Sequence, residues 1–538
     1  MIKNKKNILY IIAIFATLVY RYFWSSISQW REDQATNIWL SLTETIHSIP
    51  VGLLSSKDIP VPNGMIIFGK IFNIFDNLLL ATLFFSLLQI LCFYLLVSQL
   101  AINQNKKMGL LILLSVSTIM SSSSIEFWNQ WTFIIFNCLF FYTYLLFLKS
   151  KETFYLIVML IISTIPASIY LAGILNTLIM GLIILYEFFI TKEKNRTKNS
   201  ILKYSILSVF AIIYSYLVWF QYFKAVSVSK ILSFTDLTLY DRINILSDQL
   251  LQIPGLLLTV WTKQSSFFIL QVNRDIVSYS TFNLFKVYVE SHKVIIVLFL
   301  VSLIIIFIHK KTVFDQLNNR FIISILFFIS SSSFISPALG GPDFSKFERM
   351  DTYVQYYPFF VIVWFLVINQ ASEIKINNIN LKNISLSIFL ISAVLNITLS
   401  AGIIYDNLNY SGSKLTEADI PLAEKMDVTN FIAEDMNVKK INSATISYDL
   451  GGGIWDWIPE HSETFSEWYP KYPYTIGRAY DYILLNQHSK KNIYEGLNDR
   501  NFQDSQYIVS YIFNTEKLDN KDNYKEVRFK RLILFIKK

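Results

Sequence analysis

The chain has 538 residues, 53% hydrophobic and 16% charged, with a formal net charge of +8. Soluble globular chains carry about 25% charged residues, so this composition, with a mean hydropathy of +0.42, excludes an ordinary water-soluble protein. Residues 1–405 hold 30 Lys and Arg against 19 Asp and Glu, whereas residues 406–538 hold 17 against 20, so the basic excess lies between apolar runs and is no argument for nucleic acid.

A helix that crosses the hydrocarbon layer needs about 20 apolar residues. Eleven runs are candidates: 7–24, 78–99, 107–121, 129–148, 153–170, 172–190, 202–222, 294–309, 319–338, 355–370 and 383–404. Lys3, Lys5 and Lys6 precede the first run in the manner of a signal peptide, but no small-residue cleavage site follows. Arg21, Tyr22 and Trp24 read instead as the interfacial end of a retained helix. With the N-terminus inside, 17 basic residues fall in interior loops, from Lys3 to Lys382. The short exterior loops near 122–128, 165–170 and 339–352 carry only Lys346 and Arg349. The positive-inside rule therefore puts the N-terminus in the cytoplasm, and an odd span count puts the hydrophilic C-terminal part outside.

The expected architecture is an α-helical polytopic membrane protein of about 11 transmembrane helices, with an exterior α/β domain at its C-terminus. The membrane body is 1–405, with exterior loops 25–77, 223–293 and 339–352; the exterior, periplasmic domain is 406–538. The expected location is the plasma (inner) membrane. The interior loops are short and lysine-rich, and no Gly-rich phosphate loop occurs, which disfavours an ATP-driven pump or a cytosolic nucleotide donor. Cys92 and Cys138 both sit in apolar runs, which disfavours a disulfide framework or a thiolate metal site. The five histidines are too scattered for a metal set.

Loop 25–77 opens Trp30-Arg31-Glu32-Asp33-Gln34, after which Ala35, Ile38, Trp39, Leu42 and Ile46 recur at helical spacing. That pattern describes an amphipathic helix on the membrane surface, with Glu32 and Asp33 at its positive end. The pair either caps this helix or supplies a carboxylate that takes the proton of an acceptor hydroxyl. The stretch Pro60-Val61-Pro62-Asn63-Gly64 then leads into the second run. Glu126, between Trp128 and a serine run, is either a solvated acid in an aromatic anchor or a group facing the same cavity as Asp33. Lys346 and Arg349 break the positive-inside trend. They either pair with Glu348 and Asp351 or hold an anion such as a lipid phosphate, for which Arg supplies a bidentate fork.

In the exterior domain, 418–436 has helical spacing with Ala423-Glu424-Lys425 placed on its wet face. Residues 440–448 and 506–512 read as strands and 527–536 as a terminal hairpin. Trp455, Trp457 and Trp468 lie in an aromatic loop region that either stacks on acceptor sugar rings or covers a core.

In this order of features the chain resembles the GT-C superfamily of membrane glycosyltransferases, in the branch of the protein O-mannosyltransferases and lipid A aminoarabinose transferases. The resemblance rests on Glu32-Asp33 after the first helix, on Pro60-Val61-Pro62 before the second, and on the late Arg349, Tyr353 and Pro358. It covers 1–405 in layout, and its motifs are short. Here the pair is Glu-Asp where the mannosyltransferases usually show Asp-Glu, and the second proline is shifted. The resemblance implies sugar transfer on the exterior face, from a polyprenyl-phosphate-linked donor to a hydroxyl on an envelope glycan, lipid or protein. In that scheme Asp33, preferred over Glu32, activates the acceptor, and Arg349 with Lys346 holds the departing phosphate. Some relatives use a divalent metal and others do not. A Mg or Mn ion on Glu32, Asp33 and Glu126 is therefore left open. The rivals are an O-antigen-type polymerase or ligase, and a lipid-linked sugar flippase or other transporter. A transporter predicts charges at mid-membrane depth and related halves, and neither is apparent in the sequence.

Overall fold

Apolar runs in a bilayer find no water for their peptide groups, so they close their hydrogen bonds within helices. The computed structural model describes residues 2–30, 32–43, 62–75, 77–125, 131–170, 172–190, 240–241, 243–245, 276–308, 316–338, 354–374, 384–410, 420–449, 492–495, 505–511 and 521–538, with a few single positions between them. In chain order the helices are α1 (Ile2–Ser25), α2 (Glu32–Thr43), α3 (Gly64–Gly69), α4 (Leu78–Gln99), α5 (Gln104–Val116), α6 (Thr118–Ser123) and α7 (Phe133–Ser150). They continue with α8 (Thr153–Ile169), α9 (Ala172–Ile190), α10 (Tyr279–Ile308), α11 (Gln316–Ala338), α12 (Tyr357–Ala371), α13 (Ile384–Asn409) and α14 (Leu422–Val438). The strands are β1 (Ser443–Asp449), β2 (Asn492–Glu495), β3 (Tyr507–Tyr511), β4 (Tyr524–Arg528) and β5 (Leu532–Lys537).

Among the described residues, six helices are long and apolar enough to cross a membrane: Ile8–Ser25, Leu78–Gln99, Phe133–Ser150, Tyr279–Ile308, Val354–Ala371 and Ser387–Asn409. Thr153–Ile169 and Gly173–Phe188 are shorter apolar helices. The run at 202–222 lies almost wholly outside the described residues. Two expectations change. The run 107–121 is not one helix, because Ser117 (φ −55, ψ 129) leaves the helical region and parts α5 from α6. Residues 279–293, assigned from sequence to an exterior loop, are already helical, since α10 runs for 30 residues. The Lys293–Glu290 pair at 2.5 Å supports that polar extension at i,i+3 spacing.

By contacts the chain forms two compact units. The first comprises Met1–Arg21, Phe85–Ser124 and Asn129–Ile403. Every residue of α12 is buried, as expected of a helix that is apolar all round. Its Phe359 meets Phe141 of α7 at 5.0 Å and Phe328 of α11 at 6.2 Å between ring centroids, and Phe141 also meets Phe321 at 5.9 Å. The second unit comprises Tyr22–Phe84, Ile125–Trp128 and Ile404–Lys538. Its five-stranded sheet has the order β2-β1-β3-β5-β4. β1 runs parallel to β2 and β3, whereas β5 pairs antiparallel with β3 and β4. Ile508, Tyr524, Ile533 and Phe535 form a buried cluster on it.

Candidate functional site

The acidic pair stands at a defined place. Past the end of α1, Ile27 N–H donates to the Trp24 carbonyl and Ser28 N–H to the Ser25 carbonyl, which turns the chain. Trp30 then takes a left-handed backbone (φ 46). Such a conformation costs a non-glycine residue about 1–3 kcal/mol and persists only where its surroundings hold it. Here the Trp30 indole is buried, donates to Thr82 Oγ1 at 3.1 Å and meets Phe72 edge-on at 6.4 Å. Glu32 and Asp33 follow as the first two residues of α2, where the helix dipole favours anionic side chains. The side chains of Arg31, Glu32 and Asp33 lie outside the described residues.

The same turn is tied at three further points within its unit. Ser28 Oγ donates to the Ile125 carbonyl at 2.6 Å, which brings the residue before Glu126 to the turn. Leu422 N–H, at the start of α14, donates to the Ser28 carbonyl at 2.6 Å. Lys425, fully buried, donates its ammonium to the carbonyls of Gln29 (2.8 Å) and Trp30 (3.4 Å). This corrects the placement of Lys425 on a wet face. It stands three residues from Leu422 and from Val428 and four from Thr429, all buried, so helical spacing alone puts it in the covered stripe.

The amphipathic surface helix is also corrected. Every α2 residue from Gln34 to Ser41 is buried, polar ones included. The reason is local packing: Lys70 Nζ donates to the Ser41 carbonyl at 2.7 Å. Gly69 allows Ser41 to approach so closely that an added Cβ would lie 3.1 Å from the Ser41 Cβ.

Three of the polar clusters among the described residues of the first unit bear on the expectations from sequence. Arg21, expected at an interface, is fully buried; its guanidinium donates to the Ser115 carbonyl (2.7 Å), Gln89 Oε1 (3.0 Å), the Met120 carbonyl and Ser124 Oγ. At the start of α12, Gln355 Oε1 accepts from Asn137 of α7 (3.2 Å) and Asn176 of α9 (2.6 Å), and Tyr356 OH donates to Asn176 Oδ1 (2.8 Å). That amide cluster anchors the chain just after the stretch holding Arg349. Third, the buried Glu187 of α9 accepts from Tyr144 at 2.8 Å and pairs with Arg320 of α11.

Of the residues singled out from sequence, Glu32 and Asp33 are located by their backbone. Glu126, Lys346, Arg349, Trp455, Trp457 and Trp468 lie outside the described residues. No group of three or more His, Cys, Asp or Glu that could hold a metal occurs among the described residues. The groups considered for a metal, Glu32, Asp33 and Glu126, are those whose side chains are not described.

No family model and no curated protein matches the chain. A crystal structure of ArnT from Cupriavidus metallidurans bound to undecaprenyl phosphate is similar over 98% of this chain and 97% of that one, at 9% identity and a TM-score of 0.42. At that TM-score the likeness carries no residue correspondence.

Proposed function

We propose that this chain is a membrane-embedded glycosyltransferase that moves a sugar from a polyprenyl-phosphate-linked donor to a hydroxyl acceptor on the exterior face of the plasma membrane. The observation that carries this reading is the pinned turn at 28–30. It sets Glu32 and Asp33 at the head of a buried helix and ties in Ile125, one residue from Glu126. A carboxylate so placed takes the acceptor proton while the acceptor oxygen bonds to the anomeric carbon. The bond from that carbon to the phosphate oxygen breaks, and polyprenyl phosphate leaves with the electron pair. Asp33 is the preferred base and Glu32 its neighbour. Arg349, with Lys346, stabilises the charge that develops on the phosphate. Trp455, Trp457 and Trp468 are assigned to acceptor stacking.

The transporter alternative gains little from the buried charges. Glu187 lies three residues from the end of α9, and Arg320 four residues after the start of α11, so the pair sits at helix ends and not at mid-span. The test is transfer of radiolabelled sugar from total polyprenyl-linked donors to envelope glycans, comparing wild type with Asp33→Asn at matched membrane levels. Loss of a general base lowers turnover about 10²–10⁴-fold, and a drop of that order in a folded variant is the expected result. Full activity in Asp33→Asn would move the chemistry to Glu32 or Glu126. No transfer by wild type from any donor would favour the transporter.

A further inference from the structure

We infer that Lys425, contributed by the C-terminal part of the chain, is a positioning residue for the acidic pair: its ammonium fixes the backbone from which Glu32 and Asp33 start. Three observations converge. First, Lys425 is fully buried, and both of its described hydrogen bonds go to main-chain carbonyls of one turn, those of Gln29 and Trp30. A lysine ammonium offers three donors, and burying it is costly unless those donors are used. Second, the carbonyls it holds belong to a turn that contains a left-handed Trp30, a conformation that relaxes when its tethers are removed. Third, Leu422, three residues earlier on the same helix, holds the Ser28 carbonyl of the same turn. One face of α14 therefore grips three successive carbonyls, 28 to 30, directly ahead of Glu32.

This assigns the C-terminal segment a role beyond acceptor binding. It completes the geometry at the first exterior loop, and Lys425 acts through the carboxylates without touching substrate. The inference rests on the glycosyltransferase reading for its catalytic consequence, and on the turn alone for its structural one.

The experiment has two arms, each run in wild type, Lys425→Met and Lys425→Arg. The first introduces Glu32→Cys or Asp33→Cys and follows the rate of maleimide modification in membranes. Cys92 and Cys138 are buried, so background labelling is low. The expected result is a rate about threefold or more higher in Lys425→Met, through local opening of the turn, and a return toward the wild-type rate in Lys425→Arg. An unchanged rate overturns the inference whatever the activity. The second arm measures sugar transfer in the same backgrounds without the added cysteine. The expected result is a fall in kcat of about tenfold or more with the donor KM within about twofold, because misplacing a reacting group by an ångström is enough. Rescue by Lys425→Arg is expected. Because loss of active protein also lowers apparent kcat at unchanged KM, kcat is normalised to folded protein, in which the buried Cys92 and Cys138 stay unlabelled.

If Asp33→Asn abolishes transfer while Lys425→Met keeps full kcat, the positioning role alone is overturned. If Asp33→Asn and Glu32→Gln both keep full transfer, the acidic pair is not the base and the catalytic consequence of the positioning role is overturned. Absence of transfer by wild type from any donor instead overturns the glycosyltransferase reading and leaves the labelling arm to decide the structural role. Should Lys425→Met not accumulate, Lys425→Gln carries both arms, since it keeps a polar end at the site while its shorter, uncharged side chain loses the ammonium's reach to the Gln29 and Trp30 carbonyls.

Discussion

The guanidinium of Arg21 donates to the carbonyl of Ser115 at 2.7 Å, at the place where the hydrogen-bond ladder of α5 runs out. The last carbonyls of a helix have no partner within it, and a break inside a membrane body leaves them without water as well. Arg21 also reaches the Met120 carbonyl in the last turn of α6, and its neighbour Tyr20 donates to the Val116 carbonyl at 3.0 Å. Two adjacent residues of α1 therefore satisfy both pieces of the broken segment. Each buried carbonyl left bare costs about 1–3 kcal/mol. Arg21→Met is expected to lower stability by several such increments, whereas Arg21→Lys keeps the charge and some of the bonds and falls between. Thermal unfolding in detergent, followed by labelling of Cys92 and Cys138 as they become exposed, measures this. Equal midpoints for wild type and Arg21→Met would show that the carbonyls find other partners.

The Glu187–Arg320 pair joins α9 to α11, and Tyr144 of α7 completes the carboxylate's bonding. Breaking a buried pair by removing one partner costs about 3–5 kcal/mol. The Arg320 side chain is 27% exposed and has a partial escape to solvent, so Glu187→Ala is expected toward the lower end. Glu187→Gln keeps the acceptor for Tyr144 and is expected to cost less. In a double-mutant cycle, Glu187→Gln with Arg320→Gln should destabilise by less than the sum of the single changes. Strict additivity would show that the pair contributes nothing to stability.

The long helices were legible because 3.6-residue apolar runs have few alternatives in a 20-residue window, and the strands at 440–448 and 506–512 because β-branched and aromatic residues cluster there. Strand β2 (Asn492–Glu495) was not, since four residues flanked by charges carry too little pattern. The break at Ser117 was hidden because serine is neither proline nor glycine, and what allows it is the distant Arg21. At the candidate site, the position of Glu32 and Asp33 at a helix head followed from local spacing. Lys425 did not, although its register with Leu422 and Val428 was readable, because a lysine in an apolar stripe is ordinarily placed in water. Its partners are main-chain carbonyls nearly 400 residues earlier in the chain, and a single sequence gives no sign of such a contact.

Gly173 and Gly181 lie on the same helix, α9, and make opposite predictions. A Cβ at Gly173 would fall on the Pro166 carbonyl of α8, which is backbone and cannot turn aside; at Gly181 it would meet nothing within 4 Å. Gly173→Ala must spread the α8–α9 hairpin, at a cost of about 1–3 kcal/mol or more for overpacking. Gly181→Ala adds a good helix former to a helix interior and is expected to be neutral or to stabilise by up to about 1 kcal/mol. Unfolding midpoints of the two variants are therefore expected on opposite sides of wild type, or with Gly181→Ala level with it. A Gly173→Ala midpoint equal to that of wild type would mean the hairpin opens freely there.

Two carboxylates of α14 are expected to give the fold opposite pH slopes. Burial pushes the Glu424 carboxyl above its ordinary range, and the nearby Arg531 (3.3 Å) and Lys530 offset this only in part. The folded state then holds the Glu424 proton more tightly than the unfolded chain. That contribution is complete below the unfolded value, about 4.3, and is lost as pH rises through the folded one. At Asp435 burial also pushes upward, but hydrogen bonds from Lys439 (2.6 Å) and Tyr507 (2.6 Å) overcome it and hold the carboxyl below its ordinary range. Its contribution is present above the unfolded value, about 3.9, and is lost as pH falls through the folded one. Replacing each residue with its amide removes one slope at a time. Relative to wild type, Glu424→Gln should fare better at pH 7 than at pH 4, and Asp435→Asn should fare worse at pH 7 than at low pH. Unfolding midpoints of wild type and both variants across pH 3–7 check this. Differences from wild type that move in the same direction with pH for both variants would mean that burial does not outweigh Arg531 and Lys530 at Glu424, or that the hydrogen bonds do not outweigh burial at Asp435.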